Sequence, residues 1–140
     1  MTISPYLNFD GTCEEAFTFY AQCLGGRILG LYRHEDIPDA DIPAEWRQKV
    51  MHVSMQIGDD VLMGSDGMPQ HYQKPQGFFV QMGFKTGAEA ERTFKALSAG
   101  ATIIMPIAET FWSDRFGMLI DRFGIPWMIN GGERQVEKRA

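Results

Sequence analysis

Cysteine is scarce in this chain of 140 residues, in which only Cys13 and Cys23 occur. Both cysteines fall within one predicted helix, ten positions apart, so about 15 Å of helical rise separates them. A disulfide needs Cα atoms roughly 4.4–6.8 Å apart, and we therefore expect two reduced thiols. Without a disulfide framework, the packing of a hydrophobic core has to hold the fold together.

Positive charge is also in short supply, and long apolar runs are missing. The chain has 13 basic and 18 acidic residues, a net charge of -5, which disfavours nucleic acid and anionic membranes as partners. No apolar stretch reaches the roughly 20 residues of a membrane-spanning helix, and residues 1–10 lack a basic leader with an apolar core. We therefore predict a cytoplasmic protein whose partner is a small organic ligand or another protein, with no nucleic acid and no membrane as partner.

A repeated unit organises the sequence, whose length suits a single domain over residues 1–140. Two helix starts, at Thr12 and Thr86, carry the same capping-box pattern of a hydroxyl followed three positions later by Glu, and they lie 74 positions apart. Gly25 and Gly100 are the predicted helix ends, and a strand-like run follows each. The spacing predicts two copies of one structural unit.

Each copy is predicted to have one strand before its helix and three strands after it. The closing strands are predicted at residues 49–57 and 60–65 in the first copy and at residues 116–121 and 125–130 in the second. The predicted order is βαβββ twice in an α+β fold, with module one at about residues 2–66 and module two at about residues 77–131. Proline-containing loops at residues 35–47 and 67–77 complete the pattern.

Alternation along the predicted strands separates an apolar face from a second, more polar face. The apolar set, which includes Met51, Val53 and Met55, should lie under the helices. The opposite set consists of Tyr6, Asn8, His52, Ser54, Gln56, Phe79, Gln81, Met128 and Asn130. Dry, unpaired polar groups cost about 1–3 kcal/mol each, so this set indicates a ligand cavity, a solvated face, or polar groups paired across strands.

Two segments carry a resemblance to a known superfamily: residues 5–20, PYLNFDGTCEEAFTFY, and residues 112–130, WSDRFGMLIDRFGIPWMIN. They resemble the vicinal oxygen chelate superfamily of glyoxalases, extradiol dioxygenases and bleomycin-resistance proteins, in particular its PhnB-like branch. The resemblance covers nearly the whole chain. It implies an eight-stranded, cup-shaped mixed sheet with helices on the convex face, Trp112 at the pocket rim, and a homodimer.

The same resemblance implies where metal ligands would lie. Metal-using relatives place one ligand on the first and one on the last strand of each unit, drawn from His, Glu and sometimes Gln. The matching positions here are Ser4 or Tyr6, Leu62 or Met63, Phe78 or Phe79, and Met128. None of these is His, Asp or Glu, the side chains that hard or borderline divalent ions prefer. We therefore predict no metal.

Nor does the sequence indicate an organic cofactor. Some relatives in this branch are labelled demethylubiquinone methyltransferases, but no Gly-x-Gly loop between a strand and a helix is present to hold an adenosyl group.

The predicted function is metal-free binding of a small molecule in the cup, of the glyoxalase and bleomycin-resistance type. Phe79 and Met128 would provide apolar contacts, and orienting hydrogen bonds would come from Tyr6, His52, Gln56 and Gln81. One alternative is a glyoxalase-like isomerase or lyase that uses an unrecognised metal or His52 as general base. Another is an antibiotic-sequestering protein, since a net charge of -5 suits a cationic drug.

Overall fold

The structure, a computed structural model, describes residues 1–135. It divides into two compact units, of which the first spans Met1–Lys74 and the second begins at Pro75. The first unit consists of β1 (Tyr6–Phe9), α1 (Cys13–Leu24), β2 (Arg27–Arg33), β3 (Val50–Ile57) and β4 (Asp60–Asp66). The second consists of β5 (Val80–Phe84), α2 (Gly87–Leu97), β6 (Thr102–Ala108), β7 (Ser113–Ile120) and β8 (Pro126–Glu133).

Each unit contains one four-stranded mixed sheet, and the two sheets have the same strand order. The orders are β1-β4-β3-β2 and β5-β8-β7-β6. In both sheets the first strand of the unit runs parallel to the last, and the other neighbours are antiparallel. The predicted α+β class and the two βαβββ modules are confirmed. The joining of the sheets into one cup, and the grouping into a single domain, stay predictions.

In the first unit, α1 packs its apolar stripe onto one face of the sheet. Ala16, Phe17 and Tyr20 are buried on the helix, as are Leu7 and Val53 on the strands. The rings of Phe17 and Tyr20 meet edge to face at 5.6 Å. The helix ends as predicted at Gly25, whose φ of +67° places it in the left-handed region.

The second unit repeats this packing with different side chains. Ala90, Phe94 and Leu97 of α2 are buried above Trp127 and Ile129 of β8. Neither helix within residues 1–135 is long and apolar enough to cross a membrane.

Glycines on β4 and β8 allow the helices to approach the sheets closely. A Cβ added to Gly64 would stand 2.7 Å from Cε2 of Phe17, and one added to Gly131 would collide with the carbonyl oxygen of Thr86 and the side chain of Ala90. Side chains at these two positions would therefore force the helix and sheet apart.

The two predicted capping boxes have different outcomes. At α2, the Thr86 hydroxyl accepts a hydrogen bond from the Glu89 N–H at 3.2 Å and donates one to Glu89 Oε1 at 2.9 Å. The predicted cap by Thr86 is therefore present, but the Glu89 carboxylate accepts from the Thr86 hydroxyl, whereas in a capping box it accepts from the backbone N–H of the capping residue. At α1 the prediction is wrong, because the Thr12 side chain makes no cap. Asp66 takes its place, accepting from the N–H groups of Gly11 and Cys13 at 2.9 Å each.

Asp66 is buried, with 2% of its surface exposed, at the end of β4. Its second oxygen accepts a hydrogen bond from the Val50 N–H at 2.9 Å. This one carboxylate therefore joins the start of α1 to β3. Asp121 plays a similar part in the second unit, where it accepts from the N–H groups of Phe123 and Ile125 and from Trp127 Nε1.

One prediction about β3 is wrong. Tyr32 pairs with His52 but Arg33 pairs with Val50, which leaves Met51 in a bulge. Val50 is fully buried whereas Met51 is only half-buried, so Met51 does not share the core position of Val53. From Val53 onward the predicted alternation is correct.

Candidate functional site

Each sheet has one face that packs on the helix of its own unit, which we name the covered face; the face opposite that helix we name the uncovered face. In the first sheet, Leu7, Gly64 and Val53 are partners in register on the covered face. The neighbouring row lies on the uncovered face and consists of Tyr6, Met63, Ser54 and Gly30.

Two of the predicted site residues on the first sheet, Tyr6 and His52, are hydrogen-bonded to each other. The Tyr6 hydroxyl and His52 Nδ1 are 3.0 Å apart, and the two ring centroids are 5.7 Å apart. Tyr6 is 43% exposed, so this pair is open to approach from outside the sheet. A phenol bonded to an imidazole can orient a polar ligand or relay a proton.

The other predicted polar residues of the first sheet are placed differently. The Gln56 amide accepts from Arg27 Nη2 and donates to the Gly58 carbonyl, both at 3.1 Å. Gln56 is therefore engaged by its own hairpin and its neighbouring strand, away from the Tyr6–His52 pair. Asn8 is exposed, in register with Ser65 of β4.

The uncovered face of the second sheet is mainly apolar. One row across the strands, which we name the methionine row, consists of Met105, Met118, Met128 and Gln81. The next row, which we name the asparagine row, consists of Ala108, Phe116, Asn130 and Gly83. The predicted residues Gln81, Met128 and Asn130 are thus brought together, whereas Phe79 precedes β5 and lies outside the paired strands.

Asn130 has an unusual side-chain environment. Its Oδ1 atom is buried and has no hydrogen-bond partner within the described residues, a situation that costs about 1–3 kcal/mol. Phe116, its neighbour in register, is only 8% exposed. A ring cluster extends from Phe116 to Trp112 and then to Phe111, with centroid separations of 5.2 and 4.9 Å. Trp112 therefore adjoins the asparagine row.

Sequence reasoning missed several residues on this face, notably Phe116, Met118 and Met105. The β7 sequence is apolar on both faces, since Leu119 points to the covered face while Met118 points away from it. Alternation of polarity could not sort such a strand. Gly117 marks the covered face, because a Cβ added there would touch Phe94 of α2. This glycine was the one signal that the β7 sequence offered.

Strand register also locates side chains near the positions that the resemblance assigns to metal ligands. Met63, not Leu62, lies beside Tyr6 on the uncovered face. Gln81 lies beside Met128, whereas the predicted position at Phe78 or Phe79 precedes β5 and is not paired in register. A phenol and two thioethers do not match the preferred donors of a hard or borderline divalent ion, and a phenylalanine at position 78 or 79 offers no donor. Residues 1–135 contain no group of three or more His, Cys, Asp or Glu placed to share a metal ion.

Cysteine chemistry is disfavoured by burial. Cys13 is fully buried, and desolvation, reinforced by the nearby carboxylates of Asp66 and Glu14, raises the pKa of its thiol far above the ordinary value. The thiolate required of a nucleophile is therefore suppressed. Cys13 carries a free thiol.

Comparison with known proteins gives matches along nearly the whole chain. A family model described as 3-demethylubiquinone-9 3-methyltransferase matches residues 1–130. Protein YjdN of Escherichia coli strain K12 is 32% identical, covering 96% of this chain and 98% of YjdN. The crystal structure of PA1353 from Pseudomonas aeruginosa is 41% identical with a TM-score of 0.87, covering 96% of this chain and 99% of that one.

More distant structures show the fold alone. A PhnB protein from Bacillus cereus has a TM-score of 0.77 at 22% identity, covering 94% of this chain and 99% of its own. A glyoxalase/bleomycin resistance protein/dioxygenase family enzyme from Burkholderia phytofirmans PsJN also shares the fold, with a TM-score of 0.61 at 16% identity, covering 91% of this chain and 95% of its own. The chain therefore belongs to the family described as 3-demethylubiquinone-9 3-methyltransferase, and it shares its fold with a structure of the glyoxalase/bleomycin resistance/dioxygenase group.

Proposed function

We propose that this protein binds a small organic molecule on an uncovered sheet face, without a metal at the family's ligand positions. The observation that carries the proposal is the pairing of side chains on these faces: Tyr6 lies beside Met63, and Gln81 lies beside Met128. Each pair joins a hydrogen-bonding group to a thioether. Such pairs suit an organic ligand, which needs a few polar contacts for orientation and apolar contacts for affinity.

Simple hydration accounts less well for these faces. On the first sheet, the Tyr6–His52 hydrogen bond satisfies part of the polar set without a ligand. On the second sheet, a solvated face would carry polar or charged side chains, whereas three methionines lie in register there and Phe116 lies in the next row. The second sheet therefore supports ligand binding more strongly than the first.

Methyl transfer, the activity in the family description, is not part of this proposal. Methyl transfer by an adenosyl cofactor generally uses a glycine-rich turn between a strand and a helix. The β1–α1 connection consists of Asp10–Thr12, and the β5–α2 connection consists of Lys85 and Thr86. Neither connection has two glycines to approach a cofactor closely.

A thermal-shift screen of metabolites and cationic antibiotics tests the proposal. A ligand at 100 times its dissociation constant adds about 2.7 kcal/mol of stability, which raises the melting temperature measurably. We expect at least one saturable ligand, weakened by His52→Phe or Gln81→Leu, variants that leave the covered face unchanged. A screen without any saturable ligand would count against binding. One zinc, nickel, manganese or iron per chain surviving dialysis would contradict the metal-free part.

The Tyr6–His52 pair favours a second candidate, a glyoxalase-like isomerase in which His52 acts as general base. A hydrogen bond of 3.0 Å positions the imidazole, a group that often serves as general base in enzymes. The test is turnover of the methylglyoxal–glutathione hemithioacetal by wild type, His52→Gln and Tyr6→Phe. Loss of turnover in His52→Gln, with a shifted pH profile in Tyr6→Phe, would support catalysis. Absence of turnover in wild type would exclude this reaction.

A further inference from the structure

We propose that the uncovered face of the second sheet selects a planar, uncharged aromatic compound that carries a hydrogen-bond donor. Its rings would lie on the methionine row and Phe116, and its N–H or O–H group would donate to Asn130 Oδ1. This inference rests on the proposed function, because it names the ligand class for the same kind of face.

The need for a donor follows from the chemistry of Asn130. Its Oδ1 atom is a carbonyl oxygen, which can only accept hydrogen bonds, and it is buried without a partner within the described residues. The neighbours of Asn130 in register are Phe116 and Gly83, and neither side chain can donate a conventional hydrogen bond. A donor supplied by a ligand would satisfy this oxygen.

The aromatic class follows from the side chains beside that oxygen. Met118 and Met128 pair in the row next to Phe116 and Asn130, and Met105 extends the row to the sheet edge. Thioether side chains are flexible and polarizable and make favourable contacts with aromatic rings. A flat ring system can therefore settle on the methionines while its edge reaches Asn130.

Space and charge further restrict the ligand. Gly83 and Ala108 are the small residues at the two ends of the asparagine row. Even a Cβ added at Gly83 would meet only Gln81 Nε2, at 3.7 Å, so there is space at that end of the row. None of the residues in the two rows is ionisable. An ionised ring substituent would lack a partner there, and this favours a neutral compound.

The test compares 2-naphthol with 2-methoxynaphthalene, which has the same ring system but no donor, by isothermal titration. We expect 2-naphthol to bind up to about tenfold more tightly, the range for one hydrogen bond. In Asn130→Leu, 2-naphthol should weaken to the affinity of the ether. The control Gln22→Leu, an exposed position on α1, should leave both affinities unchanged.

Folding and location are tested separately. Asn130→Leu removes an unsatisfied group, so its melting temperature should equal or exceed that of wild type. Met128→Glu adds a charge to the methionine row and should weaken both probes more than tenfold. If Met128→Glu binds both probes like wild type, the ligand does not lie on the methionine row and the proposed location of the site is wrong.

Each part of the inference can fail on its own. Equal affinity for 2-naphthol and its ether, in wild type and in Asn130→Leu, would show that no ligand donor bonds to Asn130 Oδ1. Small-molecule binding itself would still stand. If 2-naphthol shows no saturable binding, the inference that the ligand is a planar aromatic compound is wrong. In that case a ligand from the metabolite screen would still uphold the proposed function, and an empty screen would overturn both.

Discussion

Replacing Asp66 by alanine should destabilise the first unit severely. The carboxylate is 2% exposed and accepts hydrogen bonds from the N–H groups of Gly11, Cys13 and Val50, each at 2.9 Å. Alanine removes both acceptor oxygens, and with them all three hydrogen bonds, and cannot replace them. The start of α1 and the start of β3 would then lose their common anchor.

The magnitude follows from the donors left behind. A buried donor without a partner costs about 1–3 kcal/mol. The N–H groups of Cys13 and Val50 bond to Asp66 in buried surroundings, whereas that of Gly11 does so in partly buried surroundings, which water can reach. We therefore expect a loss of about 3–5 kcal/mol, a large share of the roughly 5–15 kcal/mol that stabilises a typical domain.

Urea denaturation followed by circular dichroism measures this loss. The midpoint should fall while the slope with denaturant stays unchanged, as expected when stability alone is altered. Asp41→Ala, at an exposed loop position, is the matched control and should change stability by less than about 0.5 kcal/mol.

Asp66→Asn refines the test. Its amide oxygen can still accept from the N–H groups of Gly11 and Cys13, but its NH2 group would then face the Val50 N–H, donor against donor. We expect a loss between those of wild type and Asp66→Ala. If Asp66→Ala costs less than about 1 kcal/mol, below the range for even one unsatisfied buried donor, the anchoring role of this carboxylate is refuted.

Four further outcomes are expected. Val53→Asp should unfold the protein because it buries an unpaired charge, whereas Ser54→Asp, on the uncovered face, should remain folded by circular dichroism. Gly131→Ala should cost about 1–3 kcal/mol in urea denaturation through overpacking, while Gly83→Ala should be tolerated. The pKa of Glu14 is lowered from 4.5, chiefly by its hydrogen bond to Arg33. The stability that Glu14 contributes is therefore present above about pH 4.5 and is lost as pH falls through the lowered pKa. Glu14→Gln should remove this acid-sensitive part of the unfolding free energy, which is under about 1 kcal/mol for an exposed ion pair. Light scattering should give twice the chain mass of 15.8 kDa if the protein is the expected homodimer.

Much of the fold was predictable because its signals are local and duplicated. The helices begin at Cys13 and Gly87, and the first strands of the two units begin at Tyr6 and Val80, a spacing of 74 residues in both cases. A capping residue, an amphipathic run and a terminal glycine lie close together in sequence. Such signals do not depend on the rest of the chain.

The errors arose where distant residues decide local structure. At the start of α1 the sequence offers Thr12, yet Asp66, which lies 53 positions after Cys13, accepts the hydrogen bonds. Charged acceptors form stronger hydrogen bonds than neutral hydroxyls, and only the fold brings this carboxylate near. The bulge at Met51 likewise depends on how β2 pairs with β3, which alternation within one strand cannot reveal.

The candidate site was predictable where polarity alternates and unpredictable where it does not. His52 and Ser54 stand out between Met51, Val53 and Met55, so their face could be assigned from the sequence. Phe116 and Met118 lie in a strand that is apolar on both faces and gave no such contrast. Their contribution to the uncovered face became visible only through register.

The glycines under the helices have a consequence for how this protein can be engineered. A single added methyl group is obstructed at Gly64 and Gly131, so the contact between helix and sheet has no room for larger residues at these positions. Gly83, on the other side of its sheet, has room for a side chain. The uncovered face can therefore be redesigned at Gly83 while the contact between helix and sheet is left unchanged.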